Sequence, residues 1–266
     1  MTQKPGRPAD GARAVVFDVG DTLVAFPVGS WEEVDRLSAR ALVEAARRLL
    51  RPAPEVGEFL EVFRRVVEQA HREATPRLEE VQARRCLEQA LAELGYRHLA
   101  PEVVDRLERA WCGPRLAVRR VFDDVHPVLS RLRAAGIRLG LISNIWLSGP
   151  IVREHLHMLG LAGYFDSVVL SSEVGRIKPH PELFLRSLQE LQVSPAQALY
   201  VGDNPHADVA GAAAVGMRAI LLRRPAYPGQ VAAPEAPYHG PAPERVIHSL
   251  EPLLAIARVD PGSGDP

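Results

Sequence analysis

The stretch VVFDVGDTLV, residues 15 to 24, places an acid where proteins often carry out chemistry. Its apolar run predicts a buried strand that ends at Asp18, followed by a Gly-Asp-Thr turn. Open α/β sheets bind ligands outside the carboxyl ends of their strands, so a carboxylate there is positioned for chemistry as well as for capping a turn. Gly20 follows two residues later, at a position where a second acid would be useful.

Three further stretches combine an apolar run or a turn with polar side chains. With Asp21 and Thr22 of the first stretch, the candidates are Ser143 and Asn144 in LISN, Lys178 in RIKPHPELF, and Asp203 and Asp208 in VGDNPHAD. Each of these residues alone has an ordinary structural explanation, such as a helix cap or a turn. Because parallel strands end at the same edge of a sheet, their occurrence in this order predicts a single site.

The distribution of basic residues singles out one lysine. Lysine occurs only at positions 4 and 178, whereas the chain contains 30 arginines. A chain that uses arginine almost everywhere suggests that Lys178 stands where a compact ammonium fits and a planar guanidinium does not.

The elements that must position these residues fall into two blocks. Residues 30 to 112 show four stretches with apolar residues at helical spacing, and Ser30 with Glu33 resembles a capping box. From about residue 121, helices and strands alternate, which predicts βαβ units and a doubly wound, Rossmann-like parallel α/β sheet. We therefore expect an α/β core at residues 1–24 and 121–266, with a helical-bundle cap inserted at residues 25–120.

The ends of the predicted elements are marked by local signals. Gly95 is expected to end the third cap helix, and a helix is predicted over residues 242 to 258. Residues 1–12 and 259–266 are expected to be disordered tails. Two linkers, near residues 25 to 29 and 113 to 121, are expected to let the cap move on the core.

Bulk composition excludes several classes of protein. The chain is 47% hydrophobic and 24% charged with a net charge of −1, so nothing indicates a nucleic-acid partner. Cys86 and Cys112 match no metal or redox spacing, which favours a reducing compartment. The sequence has no signal-peptide pattern and no apolar run of about 18 residues, so we expect a cytoplasmic protein without membrane contact. The oligomeric state cannot be read from the sequence.

The motifs FDVGDTL, LISN, the lysine of RIKPHPELF and VGDNPHADVAGAAAVGM together resemble the haloacid dehalogenase superfamily. The sequence is most similar to its phosphatase-like members that carry a helical cap after the first strand. The resemblance covers residues 15 to 24 and about 121 to 223, and it covers the cap by position only. It implies a hydrolase that acts on a small phosphorylated substrate.

The resemblance also implies roles for the candidate residues. Asp18 would be the nucleophile that forms an aspartyl-phosphate, and the phosphoryl oxygens would need fixed cations and donors around them. Ser143, Asn144, Thr22 and Lys178 would bind the phosphate or hold its loop. Mg²⁺ would be held by Asp18, Asp203 and the main-chain carbonyl of Gly20, with Asp208 orienting this set from behind.

Gly20 departs from the phosphatase pattern that the resemblance implies. Family phosphatases usually carry an aspartate there, which protonates the leaving oxygen and then deprotonates the attacking water. Glycine keeps the main-chain carbonyl for the metal but loses this acid, so we expect a slow phosphatase or one restricted to good leaving groups. Asp21 and His206 are candidate substitutes for the missing acid.

Two other functions would also be compatible with a glycine in place of the second acid. Haloacid dehalogenases also lack the second acid and need no metal, although the acids of GDNPHAD argue for a metal site. A protein without catalytic activity could retain the fold to bind a phosphorylated ligand or a partner. Metal-dependent turnover, metal-independent halide release, or binding without turnover would distinguish the three.

Overall fold

The computed structural model describes residues 11 to 228 and 237 to 258. Its strands are β1 (Ala14–Phe17), β2 (Val24–Ala25), β3 (Arg120–Val121), β4 (Arg138–Ser143), β5 (Ser167–Leu170), β6 (Ala198–Gly202), β7 (Arg218–Leu222) and β8 (Arg245–Ile247). Six of these form one parallel sheet in the order β5-β4-β1-β6-β7-β8. After β1 the chain adds β4 and β5 to the sheet on one side of β1, and it then adds β6, β7 and β8 on the other side. The strand order therefore reverses beside β1.

The helices divide between a cap and the flanks of the sheet. They are α1 (Trp31–Leu49), α2 (Val56–Ala74), α3 (Ala83–Glu93), α4 (Pro101–Ala117), α5 (Val125–Ala134), α6 (Gly149–Met158), α7 (Ser171–Val174), α8 (Pro181–Leu191), α9 (Ala210–Ala214) and α10 (Pro252–Ile256). Helices α1 to α4 pack on one another between β2 and β3 and form the cap. The predicted fold class, an α/β parallel sheet with an inserted helical cap, is confirmed.

The central strand β1 is buried on both faces, as its apolar sequence predicts. Val15 and Phe17 belong to one apolar cluster, and Ala14 and Val16 belong to another. Alternate residues of a strand point to opposite faces, so the sheet is covered by helices on both sides. This rigid centre fixes the position at which β1 ends.

A short ribbon connects the cap to the core. Val24 of β2 pairs with Val121 of β3, and the two strands are antiparallel. The second predicted linker, residues 113 to 121, is shorter than expected because α4 continues through Pro114 to Ala117. The ribbon therefore lies at the predicted ends of the inserted segment.

Three local predictions are wrong. Ser30 precedes α1, but its side chain makes no capping hydrogen bond. Residues 77 to 82 were predicted to be helical, yet α3 begins only at Ala83, because this segment pairs with the core instead. The predicted helix over residues 242 to 258 is replaced by β8, which pairs with β7, and by the short helix α10.

Two predictions concern the ends of elements and of the chain. Gly95 follows α3 with φ of 93°, the left-handed conformation expected of a glycine that ends a helix. The predicted disordered tails, residues 1–12 and 259–266, lie outside the described residues except for Gly11 and Ala12, of which Ala12 is buried.

Candidate active site

The register of the sheet brings the ends of three strands to one level. Phe17 of β1 lies opposite Leu141 of β4 and Val201 of β6. Within two positions after these residues come Asp18, Ser143 and Asp203. The three side chains therefore belong to adjacent strand ends, beside the point where the strand order reverses, which is where α/β sheets bind ligands.

Lys178 enters this edge from the loop between α7 and α8. Its ammonium nitrogen lies 2.5 Å from Oδ1 of Asp18 and 2.7 Å from Oδ1 of Asp208. The same nitrogen lies 3.1 Å from the hydroxyl of Tyr200 and 3.4 Å from the carbonyl oxygen of Ile142. Only 3% of the lysine side chain is exposed. A small ammonium with three donors can serve these acceptors, whereas a planar guanidinium would need more room.

Asp208 fixes the position of this lysine. Its Oδ1 also accepts a hydrogen bond from Tyr200 at 3.0 Å, and its Oδ2 accepts one from the main-chain N–H of Asn204 at 3.0 Å. A side chain at Gly202 would overlap the carboxylate of Asp208, so glycine is needed there for the close approach. Both oxygens of Asp208 are engaged, which agrees with an orienting role.

Tyr200 is a site residue that the sequence analysis missed. It is fully buried in β6, where an apolar residue would be the simplest expectation. A buried tyrosine hydroxyl needs a hydrogen-bond partner, and this one is placed three residues before Asp203 on a strand that leads to the site. A tyrosine at this position of an otherwise apolar strand was the sequence signal that could have identified it as a site residue.

The electrostatics of the site reflect several acids around one cation. Burial is the largest influence on Asp18 and raises its pKa to about 6, although the Lys178 ammonium acts in the opposite direction. Burial also raises the pKa of Asp203 to about 8, and the charges of Asp18 and Asp208 contribute in the same direction. Burial alone would lower the pKa of Lys178, but the two carboxylates that it contacts place it well above its ordinary value. The site therefore carries more negative charge than the lysine compensates.

Asn144 and Ser143 follow each other at the end of β4 but have different surroundings. The side-chain oxygen of Asn144 accepts the main-chain N–H of Lys178 at 2.8 Å, so this amide ties the two loops together. Ser143 is buried at the strand end. The hydroxyl of Thr22 is buried and has no hydrogen-bond partner among the described residues. The main-chain carbonyl of Thr22 accepts a hydrogen bond from Nε of Arg224 at 2.9 Å.

An aromatic ring lies beside Gly20. A Cβ atom at this position would lie 3.1 Å from Cε2 of Phe26, at the start of the cap. The ring of Phe26 is 5.8 Å from the ring of Trp31, and the guanidinium carbon of Arg119 lies 5.5 Å from its centre. The backbone at Gly20 does not adopt positive φ, so its conformation does not require glycine. Phe26 instead occupies the space next to the missing side chain.

The two candidate substitutes for the missing acid have different surroundings. Asp21 adopts a left-handed backbone conformation with φ of 53°, and its charge contributes to the raised pKa of Asp203. His206 is exposed, and its ring packs edge-on against Tyr238 at 5.0 Å.

The acidic cluster has the donors that a hard divalent cation prefers. Asp18, Asp203 and Asp208 each offer a carboxylate oxygen, and these atoms lie within 4.8 Å of one another. The raised pKa values of Asp18 and Asp203 are the mark of carboxylates crowded out of water, and a bound cation would relieve them. The residues present therefore fit a metal such as Mg²⁺.

Two cavities lie away from the acidic cluster. One, of about 290 Å³, is enclosed by α1, α2, α4 and Trp146, and Phe63, His71, Trp111 and Arg115 are among its walls. Trp146 follows Ser143 by three residues in the sequence, but none of the predicted site residues lines this cavity. A larger cavity, of about 550 Å³, lies where the strands begin and includes none of the predicted site residues. Within the described ranges no helix has both the length and the apolar character that a bilayer span requires.

Comparison with known proteins identifies related chains. A family model described as "Hydrolase: haloacid dehalogenase-like hydrolase" matches residues 12–216. A glyceraldehyde 3-phosphate phosphatase from Methanopyrus kandleri is 32% identical over 219 residues, which are 81% of this chain and 85% of that protein. A phosphoserine phosphatase from Thermus thermophilus is 37% identical over 162 residues, which are 58% of this chain and 61% of that protein.

A solved structure shares the whole architecture. The crystal structure of a 2-haloacid dehalogenase from Pseudomonas syringae pv. Tomato matches with a TM-score of 0.62 and 27% sequence identity. The match covers 93% of this chain and 98% of that one. The cap and the core are therefore both shared with solved relatives.

Proposed function

The chain belongs to the haloacid dehalogenase-like hydrolase family, and from this we propose that it is a Mg²⁺-dependent phosphatase of a small phosphorylated metabolite. One observation carries the proposal: three aspartates converge within 4.8 Å of one another at the strand ends where Lys178 meets Asp18. Such an arrangement suits a divalent cation that, together with Lys178, would hold an anionic group against the nucleophile.

In the proposed reaction the carboxylate of Asp18 attacks the phosphorus atom and the bond to the leaving oxygen breaks. Water then attacks the phosphorus of the resulting aspartyl-phosphate and releases inorganic phosphate. Lys178 neutralises charge on Asp18 and on the phosphoryl group, and Ser143 donates a hydrogen bond to a phosphoryl oxygen. Mg²⁺, held by Asp18, Asp203 and the main-chain carbonyl of Gly20, would balance the remaining negative charge.

The chain must supply a proton to the leaving oxygen without an acid at position 20. We assign this role to Asp21, because it follows Gly20 directly in the turn after β1, the strand that leads to Asp18. His206, exposed and packed on Tyr238, is the weaker candidate. A less well placed acid limits the enzyme to good leaving groups or to slow turnover, because positioned acids contribute roughly 10² to 10⁴-fold.

The relatives support the proposed substrate class. The two curated relatives are named as phosphatases of a three-carbon sugar phosphate and of a phosphorylated amino acid. The cavity of about 290 Å³ under the cap is small, with aromatic walls and charged groups among its lining. The names of the relatives support a small phosphorylated metabolite, and the cavity is a space that the cap offers to the rest of such a molecule.

The experiment is hydrolysis of 4-nitrophenyl phosphate by the wild type, with Mg²⁺ and with a chelator. Asp18→Asn removes the nucleophile, and Asp123→Asn, at an exposed aspartate, is its matched control. We expect Mg²⁺-dependent turnover in the wild type and in Asp123→Asn, and none in Asp18→Asn. A wild type that binds Mg²⁺ but releases no phosphate would overturn the proposal.

Dehalogenation is the second candidate, because Gly20 lacks the acid and the solved dehalogenase shares 27% identity. Halide release from a 2-haloacid in the presence of chelator would favour it. Binding of Mg²⁺ or inorganic phosphate without turnover of either substrate class would instead favour a binding protein.

A further inference from the structure

The cap touches the core at a second place besides the β2–β3 ribbon. Residues 78 to 83, here called the strap, lie between α2 and α3 and run beside the core loop that leads to Lys178. The carbonyl of Leu78 accepts the N–H of Ile177 at 2.9 Å, and the N–H of Glu80 donates to the carbonyl of Gly175 at 3.1 Å. The strap is therefore bonded to the residue directly before Lys178.

The strap also reaches the loop that follows β4. The N–H of Ala83 donates to the carbonyl of Trp146 at 2.9 Å. The hydroxyl of Ser171 bonds to the carboxyl group of Glu80 and also accepts the N–H of Ile145 at 2.7 Å. Ser171 is fully buried, so this bridge from the cap to Ile145 is shielded from water.

Two neighbouring glutamates of the strap differ in their surroundings. Glu79 is at the surface and pairs with Arg77 at 3.0 Å and with Arg176 at 3.4 Å. Glu80 pairs with no cation in the described part of the chain, and burial raises its pKa to about 7. Burying a carboxyl group without a neighbouring cation costs free energy. We therefore infer that the hydrogen bond with Ser171 holds the Glu80 side chain in this position.

We propose that Glu80 is a positioning residue that, through Ser171, fixes the loop directly after Ser143 relative to the loop carrying Lys178. The inference rests on the proposed function, in which these two residues bind one phosphoryl group. Their spacing then depends on Glu80, which the cap supplies, in addition to the Asn144 amide of the core. Docking of the cap and completion of the phosphate site become a single event, since the strap bonds to both loops at once.

The experiment compares Glu80→Ala, Glu80→Gln and the matched control Glu79→Ala in 4-nitrophenyl phosphate hydrolysis. A displacement of about 1 Å in a reacting group can cost about 10²-fold. We therefore expect Glu80→Ala to lower kcat by roughly 10 to 100-fold. Glu80→Gln should stay within about threefold of the wild type, because its amide can make the same hydrogen bond to Ser171. Glu79→Ala should match the wild type.

Hydrogen exchange provides a readout that needs no turnover. In Glu80→Ala and in Ser171→Ala the amides of Ile145 and Ile177 should exchange faster, whereas in Glu80→Gln and Glu79→Ala they should not. Equal kcat and equal exchange in Glu80→Ala and Glu79→Ala would overturn the inference. If the wild type hydrolyses no phosphate ester, the proposed function fails. The amide exchange rates and the affinity for inorganic phosphate, measured in the same variants, then still decide whether Glu80 fixes the loops.

Discussion

Placing an aspartate at Gly20 tests why this site has no second acid. Its Cβ would lie 3.1 Å from Cε2 of Phe26, closer than an ordinary contact, so the ring must move by a few tenths of an ångström. The ring also packs against Trp31 and Arg119, so its movement requires those contacts to adjust. We therefore expect Gly20→Asp to act fully only together with Phe26→Leu, which removes part of the obstacle.

Gly20→Asp changes two free energies, the free energy of unfolding and the activation free energy. Overpacking costs about 1 to 3 kcal/mol. A positioned acid contributes roughly 10² to 10⁴-fold, which is about 2.7 to 5.4 kcal/mol at about 1.36 kcal/mol for each tenfold change. The packing cost lowers the free energy of unfolding, whereas the acid lowers the activation free energy, so the packing cost reduces kcat only where it displaces the new carboxylate. The double variant should therefore raise kcat for an alkyl phosphate by about 10²-fold, and Gly20→Asp alone should raise it less.

The assay uses two leaving groups, because an acid matters most where the leaving oxygen is basic. We expect the gain with an alkyl phosphate and little change with 4-nitrophenyl phosphate. Gly20→Ala adds the Cβ without the acid, so its lowered Tm measures the packing cost alone. A folded double variant that binds Mg²⁺ and shows no gain with the alkyl phosphate would refute the reasoning.

Three further predictions concern the charges of the site. Gly202→Ala should displace the Asp208 carboxylate from Lys178 and lower the free energy of unfolding by roughly 3 to 5 kcal/mol, as breaking a buried ion pair does; an unchanged urea midpoint would contradict this. Lys178→Arg should lower kcat by at least about 10²-fold without loss of Mg²⁺ binding, and turnover near the wild-type rate would show that the shape of the cation is unimportant. The pKa of Asp203 is raised to about 8 in the folded state, so its contribution to stability is present at low pH and is lost as pH rises through about 8. The Tm measured in chelator should therefore fall as pH rises from about 4 to about 8, and less so in Asp203→Asn or with Mg²⁺; equal slopes in the wild type and Asp203→Asn would exclude this cause.

The sequence predicted the parts of the fold that depend on local pattern. The strand before Asp18 is a continuous apolar run, and parallel pairing then places its end beside those of β4 and β6. The rarity of lysine pointed to Lys178, which the structure places against two carboxylates in a space that is almost closed to water. For the strand a local apolar run was sufficient, and for Lys178 the rarity of its residue type was.

Other features depend on contacts that no local pattern contains. Residues 77 to 82 have helical spacing, but the main chain of the strap bonds to residues far along the chain, and such tertiary contacts override propensity. The segment around Val246 likewise pairs with the free edge of β7 instead of forming a helix. Phe26 could not be placed beside Gly20 without knowing how the cap returns to the core.

The reactivity of Lys178 can also report how often the site opens to solvent. Acylating reagents attack amines that are exposed and unprotonated, and this amine is 3% exposed with a pKa well above its ordinary value. Lysine occurs elsewhere only at position 4, so a mass spectrum of labelled peptides contains one internal lysine signal and no background from other internal lysines. The rate at which that peptide gains an acyl group measures how often the buried ion pair separates, without any tag or engineered probe.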